Sequence, residues 1–467
     1  MKIIRQTVLT MTVLGMMHCM SSCSSDPNPI DFFNTPHEKA YIQLDLSVSA
    51  TRASDALATD EELKINKVNI YIFGEDAKLE TVKKDQTISE DSPFTLESTS
   101  GLKTIYAISA KSELNPAEGT SIADFEKTLV SSKNSDLITD DGFVMIGKSQ
   151  AQYVTKSATV AEMPHTNVFN IELVRLAAKV QVKSNIPINE TSYGFYIDTP
   201  EFRVCQTNDK MRIVPNGVDV IASYTSSILT GTYDGYSWGS DSEYIPSQKN
   251  GFTNDNCRYM SENIVNTPVA GNITFLSIRV ANSPSKFYSY AENAERPTQK
   301  SGTPMGTPTF YVVGMVDETH GFSDYTVDPT NHFIYAFEDE ADANRYRDAL
   351  NGGKASSVTV SDTDAPLRAP SVTDGNDRQF RTLKFDKGYS YYRVNITQTE
   401  DGENVYKVER NKFYKISINS FKTLGFHSEE MLRPTDPEAD VDSQASSWIG
   451  VTFNVVDWDS VDQSVDL

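Results

Sequence analysis

Every second side chain from residue 42 to residue 50 is apolar: Ile42, Leu44, Leu46, Val48 and Ala50 stand among mostly polar neighbours. A repeat of two is that of a strand, so the segment presents one apolar row to a core and hydrogen-bonding edges to its neighbours. Near the other end of the chain Ile449, Val451, Phe453 and Val455 alternate in the same way. A groove that accepts one of these segments fits the other. The first is followed at once by Thr51-Arg52-Ala53, so a protease cutting after Arg52 severs its tether, and the tail strand of another copy can take its place. Ile42, Leu44, Leu46 and Val48 thus read as a removable strand. Ile449, Val451, Phe453 and Val455 read as a donor strand, flanked by Trp448 and Trp458, two of the three tryptophans in the chain. Large aromatic side chains are favoured anchors in protein interfaces.

Few segments repeat at helical spacing, and Tyr, Phe, Thr and Val are abundant, which points to a mainly β protein with short helical insertions. The length of 467 residues allows roughly two to four domains and a large core. A formal net charge of −22 works against binding to a nucleic-acid backbone or an anionic bilayer, which carry the same sign. A soluble extracellular protein without nucleic-acid partners is expected.

Lys2 and Arg5 precede an apolar run over residues 8–17, too short to span a bilayer and the right length for the core of a secretory signal. Cys23 follows Met20-Ser21-Ser22, where small residues suit signal peptidase, whereas Cys19 follows the bulky pair Met17-His18. Cys23 therefore reads as a lipobox cysteine carrying a diacylglyceryl thioether, with an outer-membrane lipoprotein as the precursor. The membrane would be met only through that lipid and only before maturation. The alternative is an ordinary secretory signal cut between residues 22 and 25. Cys205 and Cys257 lie in an oxidising compartment, but two cysteines carry no spacing pattern, and a disulfide and two separate thiols stay equal alternatives.

An acidic link over 54–63 follows the first strand, and then a strand over 67–73 with Val68, Ile70 and Ile72 on one face and Asn69 and Tyr71 on the other. Further β-like runs cover 104–110, 143–148 and 169–182. A helical spacing of Ile122, Phe125 and Leu129 stands behind a Ser-x-x-Asp start at Ser121. The run at 169 changes phase between Leu173 and Leu176, which predicts a bulge or corner near Val174-Arg175. Pro187 marks a domain boundary. The second half carries strands over 194–197, 201–205, 273–280, 310–316, 389–396 and 412–418, a helix over 338–350, and a loop over 362–377. Residues 428–447 are acidic, proline-bearing and poor in apolar side chains, and read as a flexible linker reaching roughly 60 Å when extended. The division is a lipoprotein signal over 1–23, a removable segment over 24–52, one β domain over 53–186, a second over 187–427, and linker plus donor strand over 428–467.

Four blocks occur in order: Arg175-Leu176-Ala177-Ala178-Lys179-Val180, Gly388-Tyr389-Ser390-Tyr391-Tyr392-Arg393-Val394, Glu409-Arg410-Asn411-Lys412-Phe413-Tyr414-Lys415-Ile416 and Leu424-Gly425-Phe426. Together with Cys23 and Arg52 they make the chain resemble the fimbrillins, the lipoprotein-derived pilins of Bacteroidales type V pili, and its ending Val465-Asp466-Leu467 is similar to that of the minor-fimbria shaft type. The resemblance implies two tandem transthyretin-like β-sandwich domains and maturation by an arginine-specific protease between Arg52 and Ala53. It also implies assembly by donor-strand exchange with other copies and related pilins into a cell-surface fimbrium serving adhesion and biofilm formation. The receptor, host or bacterial, is not identified by the sequence. The aromatic-rich stretch over 233–244 departs from the family pattern and keeps a tip or accessory role open.

No enzyme is expected. Gly235-Tyr236-Ser237-Trp238-Gly239 matches a nucleophile-elbow pattern, but residues 230–234 and 240–246 supply neither the hydrophobic strand nor the helix it needs. The histidines are scattered, and the aspartates near 362–364 and 436–442 lack the glycine and terminal glutamate of a calcium loop, so neither metal nor cofactor is expected. The competing function is a monomeric surface lipoprotein or tip adhesin that binds glycan or protein through Tyr233, Tyr236, Trp238 and Tyr244.

Overall fold

A computed structural model describes residues 37–48, 58–89, 93–110, 114–131, 134–184, 186, 191–208, 210–214, 244–249, 251–253, 255–265, 267–302, 306–316, 323–325, 334–352, 380–400, 403–432, 440–441 and 449–457. Lys39–Leu467 is one compact unit; of the unit Met1–Glu38 only His37 and Glu38 are described. The strands used below are β1 (Lys39–Val48), β2 (Lys67–Phe73), β3 (Leu79–Thr87), β4 (Phe94–Thr99), β5 (Gly101–Ser109), β6 (Met145–Lys148), β7 (Gln152–Val154) and β8 (Val168–Arg175). They continue with β9 (Ala177–Ser184), β10 (Glu201–Cys205), β11 (Arg258–Ser261), β12 (Phe275–Pro284), β13 (Phe310–Val316), β14 (Phe380–Phe385), β15 (Tyr389–Asn395), β16 (Lys412–Phe421) and β17 (Ile449–Asp457). Helices are few and short: α1 (Asp60–Leu63), α2 (Ile122–Glu126) and α3 (Glu340–Asn351). The protein is mainly β, as its composition predicts.

The first eight strands form one sheet in the order β3-β2-β5-β6-β8-β1-β4, with β7 added on β5. Its core gathers Ala40, Ile42 and Leu44 of β1 with Val68, Ile70, Ile105, Phe169 and Ile171. The reading of β2 as a half-polar strand is corrected here. Tyr71 and Phe73 are buried too, because Phe125 of α2 and Tyr106 of β5 pack on them at ring separations of 5.0 to 5.5 Å. Ser121 caps α2 by accepting the Asp124 amide, the role its place before the helical spacing predicts.

The phase change near residue 175 is a passage between sheets. Leu176 leaves β8, donates its amide to the Val144 carbonyl at 3.0 Å, and starts β9 in a second sheet ordered β11-β9-β16-β17. The second layer therefore begins before the division drawn after residue 186. Across from it lies a sheet in which β12 joins β10, β15 and the strand Phe195–Ile197. Ala178, Val180, Val182, Tyr414 and Ile416 of one sheet meet Phe202, Ile278, Val280, Tyr392 and Val394 of the other in one core, the construction of a β-sandwich. A smaller sheet pairs β13 with β14 and carries α3 beside it.

The acidic link expected over 54–63 ends in a built element. Thr59 and Glu62 form a reciprocal capping box on α1, yet Glu62 points inward and is 1% exposed. Its carboxylate meets the buried Lys179 ammonium of β9 at 2.9 Å and accepts the Tyr259 hydroxyl of β11 at 2.7 Å, while its carbonyl accepts Arg175 Nε at 2.9 Å. Arg175 reaches on to Asn411 at 3.0 Å. One four-residue helix is thus tied to the end of the first sheet and to two strands of the second. Burial pushes the Glu62 carboxyl up, but Lys179, the Tyr259 hydroxyl and the Thr59 amide together pull it further down, so it sits below the ordinary glutamate value.

Glu62→Ala strands the Lys179 charge in the interior and is expected to cost about 3–5 kcal/mol in urea unfolding. Lys39→Ala, at the exposed Lys39–Glu97 pair, is expected to leave the midpoint where it is. Because the folded carboxyl titrates below its unfolded value, the Glu62 contribution is full above the ordinary glutamate range and is lost as pH falls through the folded value. Urea midpoints of wild type and Glu62→Gln should therefore converge in acid, and a gap independent of pH would refute the assignment.

Candidate strand-exchange site

Strand β1 occupies an interior slot. Residues 43–48 pair in parallel with β8, Gln43 opposite Val168 through Val48 opposite Leu173, and residues 39–44 pair antiparallel with β4, Lys39 opposite Thr99 through Leu44 opposite Phe94. The two pairings overlap only at Gln43 and Leu44. Where β8 has not begun, a loop takes over: the Tyr41 amide donates to Ser157 Oγ at 2.8 Å, and Asn167 Nδ2 donates to the Tyr41 carbonyl at 2.9 Å. Asn167 is itself fixed to both backbone groups of Thr155. The slot therefore supplies edge hydrogen bonds along the whole strand, half from β4 and the loop and half from β8.

Its floor is apolar. Ala40 and Ile42 are 0% and Leu44 2% exposed, and Leu46 and Val48 pack on the same core with part of their surface open. The expected removable row, Ile42, Leu44, Leu46 and Val48, thus faces inward as the alternation predicts, and Ala40 extends it. Among the described residues strand β4 has no sheet neighbour except β1. Emptying the slot exposes the core and detaches β4, so a strand of this period must fill it for the sheet to persist.

The tail strand lies elsewhere. It pairs antiparallel with β16 of its own chain, Phe421 opposite Ile449 through Lys412 opposite Asp457, with a bulge between Ile418 and Ser420. A tethered strand at its own sheet edge has a local concentration that no separate molecule matches. Yet among the described residues β17 is the outermost strand, with one neighbour. Val451, Phe453 and Val455 pack on the second core but stay partly exposed, while Thr452 and Asn454 face out. The linker expected from residue 428 also begins later, because Glu429–Leu432 form a 3-10 turn with Leu432 buried.

Several expected positions lie outside the described residues: Cys23, Ala50, Arg52, Ala53, Trp448 and Trp458, the loop over 362–377, and Tyr233, Tyr236, Ser237 and Trp238. Tyr244 is described and does not fit a surface recognition loop. Its ring is buried against the Arg279 and Arg203 guanidinium groups at 4.1 and 5.1 Å, and its hydroxyl reaches Ser277 and Glu429. Cys205 and Cys257 are both free. Burial pushes their thiols up to about 12 and about 11, so neither is a thiolate nucleophile at neutral pH. Missed by sequence reasoning were Asn167, Ser157, Glu62 and Glu429; only the Thr-x-x-Glu spacing at Thr59 and Glu62 was there to be read.

The family described as major fimbrial subunit protein (FimA) matches residues 40–192, and that described as major fimbrial subunit protein type IV, fimbrillin, C-terminal, matches residues 383–464. The first begins in β1 and ends beyond β9; the second contains β16 and β17. No curated protein matches the chain. Among solved structures, a fimbrilin (FimA) from Porphyromonas gingivalis is 15% identical, with 91% of this chain and 99% of that chain covered and a TM-score of 0.46. The C-terminally truncated tip fimbrial protein Mfa3 from the same organism is 14% identical over 90% of this chain and 100% of that chain, with a TM-score of 0.39. The chain belongs to the fimbrillin family, structural fimbrial subunits that assemble with other pilins at the cell surface.

Proposed function

We propose that this chain is the precursor of a fimbrial shaft subunit, exported on a lipid at Cys23, cut between Arg52 and Ala53 by an arginine-specific protease, and polymerised when the tail strand of another copy enters the slot of β1. The observation that carries the reading is the contrast between the two strands. β1 is bonded on both flanks and seals a core, whereas β17 shares its period of two, holds one edge and keeps its apolar row partly open.

While β1 is part of the chain, its effective concentration at the slot lies in the millimolar range or above, and a foreign strand cannot compete. Arg52 lies between β1 and the anchored helix α1. A cut there puts β1 and Cys23 on one fragment and the Glu62 anchor on the other, so one event frees the slot and releases the subunit from its lipid. Burying Ile449, Val451, Phe453 and Val455 is worth on the order of 6–12 kcal/mol gross. Much of that is already realised on the chain's own edge, since Val451, Phe453 and Val455 are largely covered there. The net drive comes from exchanging one paired flank for two and from rejoining β4 to its sheet, at about 0.5–1.5 kcal/mol per added hydrogen bond. The Tyr244 burial removes one of the four side chains on which a glycan-binding alternative drew.

Two experiments test the reading. Purified precursor digested with an arginine-specific protease should lose the segment through Arg52 and run as a ladder on a native gel; digested protein that stays monomeric, or a chain ending at Ser447 that forms the same ladder, sinks the proposal. Ser417 and Thr452 stand directly opposite each other on β16 and β17. The double variant Ser417→Cys with Thr452→Cys, oxidised, should hold β17 at home and abolish the ladder after digestion, and reductant should restore it.

A further inference from the structure

Between the end of β16 at Phe421 and the start of β17 at Ile449 the chain first crosses β15. The Tyr391 and Phe426 amides and carbonyls exchange hydrogen bonds at 2.9 and 2.8 Å, and Leu424 and Phe426 are buried. At Gly425 a Cβ would come within 2.4 Å of the Tyr391 carbonyl oxygen, so only glycine permits the crossing. The turn Glu429–Leu432 follows, over the outer face of the β10-β12-β15 sheet. There the Glu429 carboxylate accepts a hydrogen bond from Arg203 Nε at 2.8 Å, makes an ion pair with the same guanidinium, and also accepts the Tyr244 hydroxyl. The Leu432 carbonyl accepts Arg393 Nη1 at 2.8 Å. Both arginines are preset. Arg203 is 2% exposed with the Tyr244 ring beside it, and Arg393 bonds the Ala270 carbonyl and Asn395 and lies 3.9 Å from the centre of the Phe275 ring.

These bonds run to β10, to β15 and to Tyr244. A charge-assisted hydrogen bond between arginine and carboxylate is among the strong pairings, and with Arg203 buried it is costly to open. We propose that residues 424–432 are a strap that fixes the root of the tail, with Glu429 as its positioning residue, so that β17 passes between copies from Leu432 onward while the strap stays docked. This rests on the reading of the chain as a strand donor. Its consequence is one of reach. Residues 433–448 alone span the gap, roughly 50 Å at about 3.3 Å per residue, against the roughly 60 Å of an arm free from residue 428. The strap also aims that arm from one point on the second sandwich, which raises the concentration of β17 near an abutting copy.

The test is amide hydrogen exchange on the full chain, as uncut precursor and as polymer, read separately over 426–432 and over β16. In wild type the strap should keep its protection on going from precursor to polymer, within about twofold. In Glu429→Gln precursor the strap amides should exchange about tenfold faster or more, with β16 and β17 unchanged, and Glu429→Asp should restore part of the protection. Strap protection that disappears in wild-type polymer, or that Glu429→Gln leaves untouched, overturns the inference. If Glu429→Gln does not fold, the wild-type comparison still decides. Wild-type protein that is cut but never polymerises overturns the donor reading alone, because the precursor measurement then still settles whether Glu429 anchors the tail.

Discussion

The slot between β8 and β4 is the constraint on which this molecule depends. Its floor is a hydrophobic core, one wall is a parallel strand, and the other wall is a strand with no further neighbour. Such a slot must be filled, because an empty one exposes apolar side chains and leaves two rows of unmet backbone groups. Nothing in the geometry requires that the filling strand be covalently continuous with the rest of the chain. That indifference turns an ordinary sheet position into a place where one molecule can complete another.

Around β1 the neighbouring parts are held by buried charge. Lys179 with Glu62, Arg203 with Glu429, and Arg410 with Glu262 are ion pairs in which the basic partner is almost wholly buried. Arg410 also donates to the carbonyls of Arg212 and Ile213, bonding the second layer to residues that pack on the first core. Such pairs contribute little net stability compared with apolar packing, but each has one geometry in which it is satisfied. They stand where separate parts of the chain must meet in register: the helix after the first strand, the junction of the two cores, and the root of the tail. Apolar rows hold β1 and β17 in place, and charge pairs hold the parts around them.

Much of the fold was legible in local pattern. Alternation located β1, β2 and β17, and the phase change near residue 175 marked where the chain leaves one sheet for the next, although a bulge and a corner stayed equal readings because period alone does not say which sheet a strand joins. Nothing in β2 by itself marks Tyr71 as buried, because its partner Phe125 is brought to it by a helix far along the chain. Glu62 and Glu429 fell within stretches read as an acidic link and a linker, since a carboxylate in an acidic stretch gives no sign that a lysine or arginine from another layer will enclose it. Tyr244 read as a recognition residue for the same reason, as the arginines that cover it come from β10 and β12.

The sequence by itself determined the class of the protein, the inward row of the first strand, the matching period of the last, and the arginine placed just after the first. These are properties of neighbours in the chain, and a repeat of two expresses them directly. Only the tertiary structure decided that, among the described residues, β1 lies between two strands while β17 holds one, that β4 is joined to its sheet through β1, and that the tail is tied down at Glu429 and Leu432. Neighbours in space settle those matters, and residues far apart in the chain carry no periodicity that announces their meeting.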